Sequence, residues 1–409
     1  MTALSGIKVI ELANERVSLA GKLMADMGAE VLLIEPPDGC VTRSYAPHAS
    51  TPDGTSLSLY FSYYNTNKRS IVLDLEQLDD QTRLKSLLSD ADILLESEPT
   101  QRLAHLGLDF ADLQPLNPDL IHVAVTPYGR DNPDSDLPCT DLTLMAAGGP
   151  PWSCGYDDHT LPPVRGWGQQ GFHTGCHFAF MSALTALWYR KNGGSGQFID
   201  VSITAALNIT TEAATYTHFI NGGEVQRQTG RHAAINPTGE TQMQCADGRY
   251  VNTGVPPRFP EEFARLLKWL TELGLTDQFP EAVFLEMGAA WEGPFDLSLI
   301  GQDDTITAIF SAGREGLQLI AQNIGAYDFF IGCQQAGLAV GIINTPDEAF
   351  EDPHFIERGF QIHVDHGAAG TFRYPGAPYL LPASPWAIHR PAPELDQDRE
   401  EILADIKSS

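Results

Sequence analysis

The chain has 409 residues, long enough to bury more than one hydrophobic core. Hydrophobic residues make up 43% and charged residues 19%, an ordinary globular composition. Its 25 basic against 53 acidic residues give a formal net charge of -28, which argues against nucleic acid and anionic membrane as partners.

The opening MTALSGIKVIELA does not read as a signal peptide, because Lys8 and Glu11 interrupt the apolar run and no cleavage pattern follows. Residues 7–11 predict a short strand. Residues 17–27 have helical periodicity and run into Gly28, a helix-stop residue. Residues 30–35 (EVLLIE) predict a second buried strand, stopped by Pro36 and Pro37. Strand, helix and strand within about thirty residues form a βαβ unit, hence parallel pairing with a right-handed crossover. The rhythm continues with a strand at 70–75, a helix at 79–88 and strands at 93–96 and 120–126. The expected fold class is therefore α/β: a large domain on a doubly wound parallel sheet, with a smaller second domain.

No G-x-G-x-x-G follows the first strand. Gly193-Gly194-Ser195-Gly196 joins a predicted helix to a predicted strand and reads as a tight turn. The apolar stretch at 178–189 is too short to span a membrane and predicts a buried helix. After about residue 207 the composition shifts, first to Gly, Pro and Arg, then to helical sequence over 260–330. The expected organisation is a large domain begun by 1–220, a small domain at 225–325 and a return segment at 330–409 that completes the large domain. The six cysteines (40, 139, 154, 176, 245 and 333) lack C-x-x-C spacing and read as reduced, mostly buried thiols of a cytoplasmic protein.

The densest motif is 163–202, PVRGWGQQGFHTGCHFAFMSALTALWYRKNGGSGQFIDVS. It holds Pro163-Val164, a helix predicted from about 175 to 189, then Arg190, Gly194, Gly196, Gln197 and Asp200-Val201-Ser202. Asn65-Thr66-Asn67-Lys68-Arg69-Ser70 precedes a strand, and AGLAVGIINTPDEAFEDPHFIERGF begins at Ala336. These ordered blocks resemble the class III CoA-transferases, the formyl-CoA transferase and carnitine CoA-transferase type. The resemblance is dense at 1–35, 60–130, 160–205 and 336–404, and weak across 210–330.

What the resemblance implies is specific. Members move CoA between carboxylic acids through an Asp that attacks the donor thioester and then carries CoA as an enzyme thioester. That Asp stands four residues before the helix-entry glycine. With Gly175 as that glycine, the slot holds Gly171, and no Asp or Glu occurs from His159 through Ile199. The catalytic set expected for this chain is therefore empty. The family's two phosphate-facing arginines correspond to Pro99 and His105, with Glu98 beside them. Asn67, Lys68 and Arg69 remain the expected CoA contacts, against the alternative of a structural turn whose cations pair with nearby acids. Asp141 and Asp200 match framework positions rather than the nucleophile, and His232, His354 and His363 read as structural.

His173, Cys176 and His177 lie within about one turn, but a metal would need a further ligand and supporting partners. A polar helix start is the preferred reading, and no metal site is expected. Cys176 as a replacement nucleophile is disfavoured by its apolar helix, which raises a thiol pKa.

The family fold is an interlocked dimer with sites lined by both chains. The expectation is thus a catalytically silent subunit of a heteromeric CoA-transferase, as a heterodimer or dimer of heterodimers. An Asp-containing paralogous subunit would bind most of the acyl-CoA, which is substrate; no cofactor is expected. Two-subunit systems acting on benzylsuccinate, with succinyl-CoA as donor in anaerobic toluene degradation, match the pattern best. The alternatives are a homodimeric pseudoenzyme that binds acyl-CoA or regulates a partner, and an active enzyme with relocated chemistry.

Overall fold

Six short strands, apolar on both faces, build the centre of the larger unit: Lys8–Leu12, Glu30–Glu35, Arg69–Val72, Ile93–Glu96, Ile121–Thr126 and Gln197–Ser202. All pair in parallel. Their spatial order is third, second, first, fourth, fifth, sixth, the doubly wound arrangement expected above. The computed structural model describes residues 2–408 apart from 53, 55, 255, 293 and 294.

Side chains alternate across this sheet, so each strand feeds two cores. Val9, Val31, Ile93, Leu95, Val123 and Val125 pack on one face. There they meet the helices Ser18–Asp26, Gln170–Lys191 and Ile203–Ile209. Ile10, Leu32, Ile71 and Leu94 pack on the other face, against Leu84 and Leu88 of the helix Leu78–Leu88 and Ile402 of the helix Arg399–Ser408. The long helix reaches the sheet through a stripe of small buried residues, Gly171, Gly175, Ala179, Ala183 and Ala186. At Gly175 a Cβ would lie 2.8 Å from Ile203 Cγ1, so only glycine permits this approach.

That helix begins at Gln170, five positions before the start expected from sequence. The reason is tertiary. The Asp141 carboxylate accepts the backbone N–H groups of Gly171 (2.8 Å) and Phe172 (3.0 Å), a cap that no neighbouring residue supplies. The turn at 193–196 is as expected: Gly193 has φ +92°, and a Cβ at Gly196 would strike the Leu120 carbonyl at 2.3 Å.

The chain divides into two compact units. The larger comprises Met1–Trp152, Val164–Tyr216 and Asp352–Ser409. The smaller comprises Ser153–Pro163 and Thr217–Glu351, so it extends beyond the expected 225–325 and takes a piece from upstream of the long helix. Its core joins the helices Pro260–Glu272, Ala282–Ala289, Asp304–Asn323 and Ala326–Ala336 around Phe263, Leu266, Ile309 and Phe329. An antiparallel sheet of Gln242–Gln244, Tyr250–Thr253 and Val340–Ile342 accompanies them.

The segment returning to the larger unit caps the sheet's exposed edge. Asp398 accepts the Ser70 N–H at 2.8 Å and Asp396 accepts the Val72 N–H at 2.7 Å. Edge donors that invite strand addition are thereby paired. Among the described residues, no helix is long and apolar enough to cross a membrane.

Candidate functional site

Three adjacent strands carry buried glutamates at or near their carboxyl ends. Glu11, Glu35 and Glu96 are each 0% exposed. Each has a cation: Lys68 for Glu11, Arg43 for Glu35 and Arg130 for Glu96. Glu96 also meets His122 Nε2 at 3.2 Å. A buried charge left alone would be costly, so these pairs hold the loops that follow the strands. Arg130 also donates to the Thr100 carbonyl at 3.1 Å, bracing the loop 96–100.

Gly171 lies in the first turn of the long helix and is buried. Its backbone N–H and that of Phe172 meet one Asp141 oxygen, while Arg165 Nη1 donates to the other at 3.1 Å. Asp141 is 7% exposed, and Thr140 before it caps its own helix, Asp141–Gly148. A Cβ at Gly171 would lie 2.9 Å from Asp141 Oδ1 and 3.3 Å from Leu207 Cδ1. The space a nucleophilic side chain would leave through is therefore occupied by another carboxylate. That carboxylate accepts three hydrogen bonds, one of them charge-assisted.

Tyrosines surround this helix start. Tyr64 and His173 Nε2 are 2.6 Å apart, Tyr60 donates to the Gln169 side chain, and Gln169 Nε2 donates to Glu15 at 3.3 Å. The rings of Tyr60 and Tyr64 stack obliquely at 4.6 Å, and Tyr45 follows at 5.3 Å. Burial raises both phenols above their usual range and lowers His173, so the three are neutral near pH 7. Cys176 is fully buried, donates to the Arg16 carbonyl at 3.0 Å, and burial pushes its thiol up to about 12. A thiol so placed is not a nucleophile at neutral pH.

The three expected CoA contacts point elsewhere. Lys68 is 0% exposed, and its three N–H donors meet Glu11 (2.9 Å), the Ser18 carbonyl (3.0 Å) and Asn65 (3.0 Å). Asn67, at φ +61°, clasps Asp26 and the Ala387 carbonyl with its amide and accepts the His389 and Arg390 N–H groups. Arg69 pairs with Glu401 at 3.1 Å and Asp398 at 3.9 Å.

The strand order reverses between the first and fourth strands, where open α/β sheets bind ligands beyond their carboxyl ends. A crevice of about 310 Å³ lies there, lined by Arg16 after the first strand, Ser97, Glu98 and Pro99 after the fourth, and Cys139. Burial holds the Glu98 carboxyl above its usual range although Arg102 pairs with it at 3.1 Å. Sequence reading missed Arg16, Arg130 and the buried glutamates. The signal available was positional: each glutamate stands at or next to the last residue of a predicted strand.

The chain thus combines a doubly wound sheet, a crevice at its switch point and a long helix that starts beside a buried acid. The profile of CoA-transferase family III matches residues 4–282 and 317–399, and the chain belongs to that family. It is 27% identical over 410 residues to the succinyl-CoA:(R)-benzylsuccinate CoA-transferase subunit BbsE of Thauera aromatica, across 98% of this chain and 93% of that one. A succinate–glutarate CoA-transferase of Agrobacterium fabrum is 27% identical across 99% of this chain and 96% of its own. Among solved structures, a CAIB/BAIF family protein from Brucella suis shares the fold with a TM-score of 0.79, at 22% identity and 99% coverage of each chain.

Proposed function

We propose that this chain is the catalytically silent subunit of a heteromeric CoA-transferase whose paralogous partner carries the Asp nucleophile. The observation behind this reading is the filled slot: Gly171 offers no side chain, and Asp141 Oδ1 stands where one would emerge. Asn67, Lys68 and Arg69 serve the framework, and Pro99 and Glu98 stand where the resemblance expects cations, which leaves Arg16 as the one basic residue lining the crevice. Acyl-CoA is accordingly held mainly by the partner. Similarity to a benzylsuccinate CoA-transferase subunit supports succinyl-CoA and benzylsuccinate as the exchanging pair.

Met181, Trp188 and Tyr189 stand exposed on the long helix, and this apolar surface supports assembly with a partner into an interlocked dimer.

The test is CoA transfer from succinyl-CoA to carboxylic acids by the purified chain, by the paralogue and by the co-expressed pair. Activity is expected from the pair and not from this chain. Turnover by this chain alone, with an enzyme thioester trapped on it and located by mass spectrometry, overturns the proposal. A stable, inactive homodimer that mixes with no paralogue would favour an acyl-CoA-binding regulator instead.

A further inference from the structure

The crevice at the sheet's switch point contains two buried polar atoms, Arg16 Nε and Ser97 Oγ, without a hydrogen-bond partner among the described residues. Arg16 has no carboxylate partner among the described residues; its side chain reaches only Cys139 Sγ, at 3.7 Å, and the face of Phe172, at 5.7 Å. Its Nε is buried without a hydrogen-bond partner. Ser97, 5% exposed, lines the same crevice, and its Oγ is likewise buried and unpartnered. In so acidic a chain, a guanidinium without an ion pair to any described acid is a specific arrangement. Buried donors without partners cost stability unless something else satisfies them.

The local acids are already engaged. Glu98 pairs with Arg102, the Asp136 carboxylate accepts the Thr100 N–H at 3.0 Å, and Glu15 accepts Gln169. Size narrows the ligand. About 310 Å³ is at the lower end of the roughly 300–1,000 Å³ typical of ligand clefts, room for a small organic acid rather than a whole nucleotide thioester.

We propose that Arg16 and Ser97 form a carboxylate-binding subsite, so that this chain takes up an organic acid in the crevice where a nucleotide would otherwise lie. A planar carboxylate suits a guanidinium with an adjacent hydroxyl donor. The carboxylate comes either from a free acid or from the distal end of an acyl group on CoA. This inference deepens the silent-subunit reading by giving the silent chain a ligand of its own.

The experiment is calorimetric titration of the purified chain with succinate, succinyl-CoA and CoA, repeated on Arg16→Gln and Ser97→Ala. Succinate, or succinyl-CoA but not CoA, is expected to bind. Arg16→Gln should weaken that binding about tenfold to a hundredfold, and Ser97→Ala by a smaller factor. Binding of succinate locates the free acid as the source; binding of succinyl-CoA alone locates the acyl group. Equal affinity for CoA and succinyl-CoA, no binding of any probe, or binding that Arg16→Gln leaves unchanged overturns the proposal. Should Arg16→Gln fail to fold, Arg16→Lys keeps the charge and loses the fork, and must still bind more weakly. No turnover is measured, so a chain proven active by itself would sink the subunit reading and leave this one standing.

Discussion

A Cβ at position 171 would sit 2.9 Å from Asp141 Oδ1, closer than real side chains approach, and Leu207 blocks the other way out at 3.3 Å. Gly171→Asp would therefore push a second carboxylate against a buried one that caps the helix. It should lower stability by about 2–4 kcal/mol and leave CoA transfer at background. Urea denaturation and a thioester assay measure the two effects; a stable, active homodimer of the variant would show that slot and crevice are both intact. Asp141→Asn keeps an acceptor for the two N–H groups but turns an amide toward Arg165 and removes the charge at the helix start. A loss of about 1–2 kcal/mol is expected by the same denaturation.

At the scale of elements, the carboxyl ends of three strands depend on buried ion pairs. Lys68→Met would leave Glu11 buried without its cation, a loss of about 3–5 kcal/mol in a denaturation curve. A Lys68 whose role were only ligand contact would show no such loss. Burial pushes the Glu11 carboxyl up to about 7 from an ordinary 4.5, against the pull of Lys68. The folded form then binds this proton more tightly than the unfolded form. Glu11's contribution to stability is greatest below pH 4.5, declines as pH rises through about 7 and is level above it. Compared with Glu11→Gln in urea, the wild type should lose ground between pH 5 and pH 8. A constant difference would mean that Lys68 keeps the carboxylate ionised throughout.

For the whole molecule, charge and exposed area act together. A homodimer would bring two copies of a -28 charge into contact, so self-association should be weak at low salt and strengthen as salt screens the repulsion. A less acidic paralogue would relieve this, and on the silent-subunit proposal native mass spectrometry of the co-expressed pair should show the mixed complex in preference to the homodimer. A homodimer that refuses exchange, beside a paralogue fully active alone, would refute the assembly.

Much of the fold was legible because parallel strands buried on both faces need continuous apolar runs. IKVIE, EVLLIE and ILLE announced themselves, and the strands Glu30–Glu35 and Ile93–Glu96 fall where expected. The absence of an acid at 171 was legible too, since a missing residue type needs no coordinates. The start of the long helix was not, because its cap comes from Asp141, thirty positions upstream, and local sequence carries no trace of such a partner. Nor was the role of Lys68 and Arg69: a cation in a loop reads alike whether it meets a phosphate or a glutamate from another strand. Only the tertiary structure put Lys68 against Glu11 and left Arg16 with no acid partner among the described residues, because which acid reaches which base is fixed by strand order rather than by spacing along the chain.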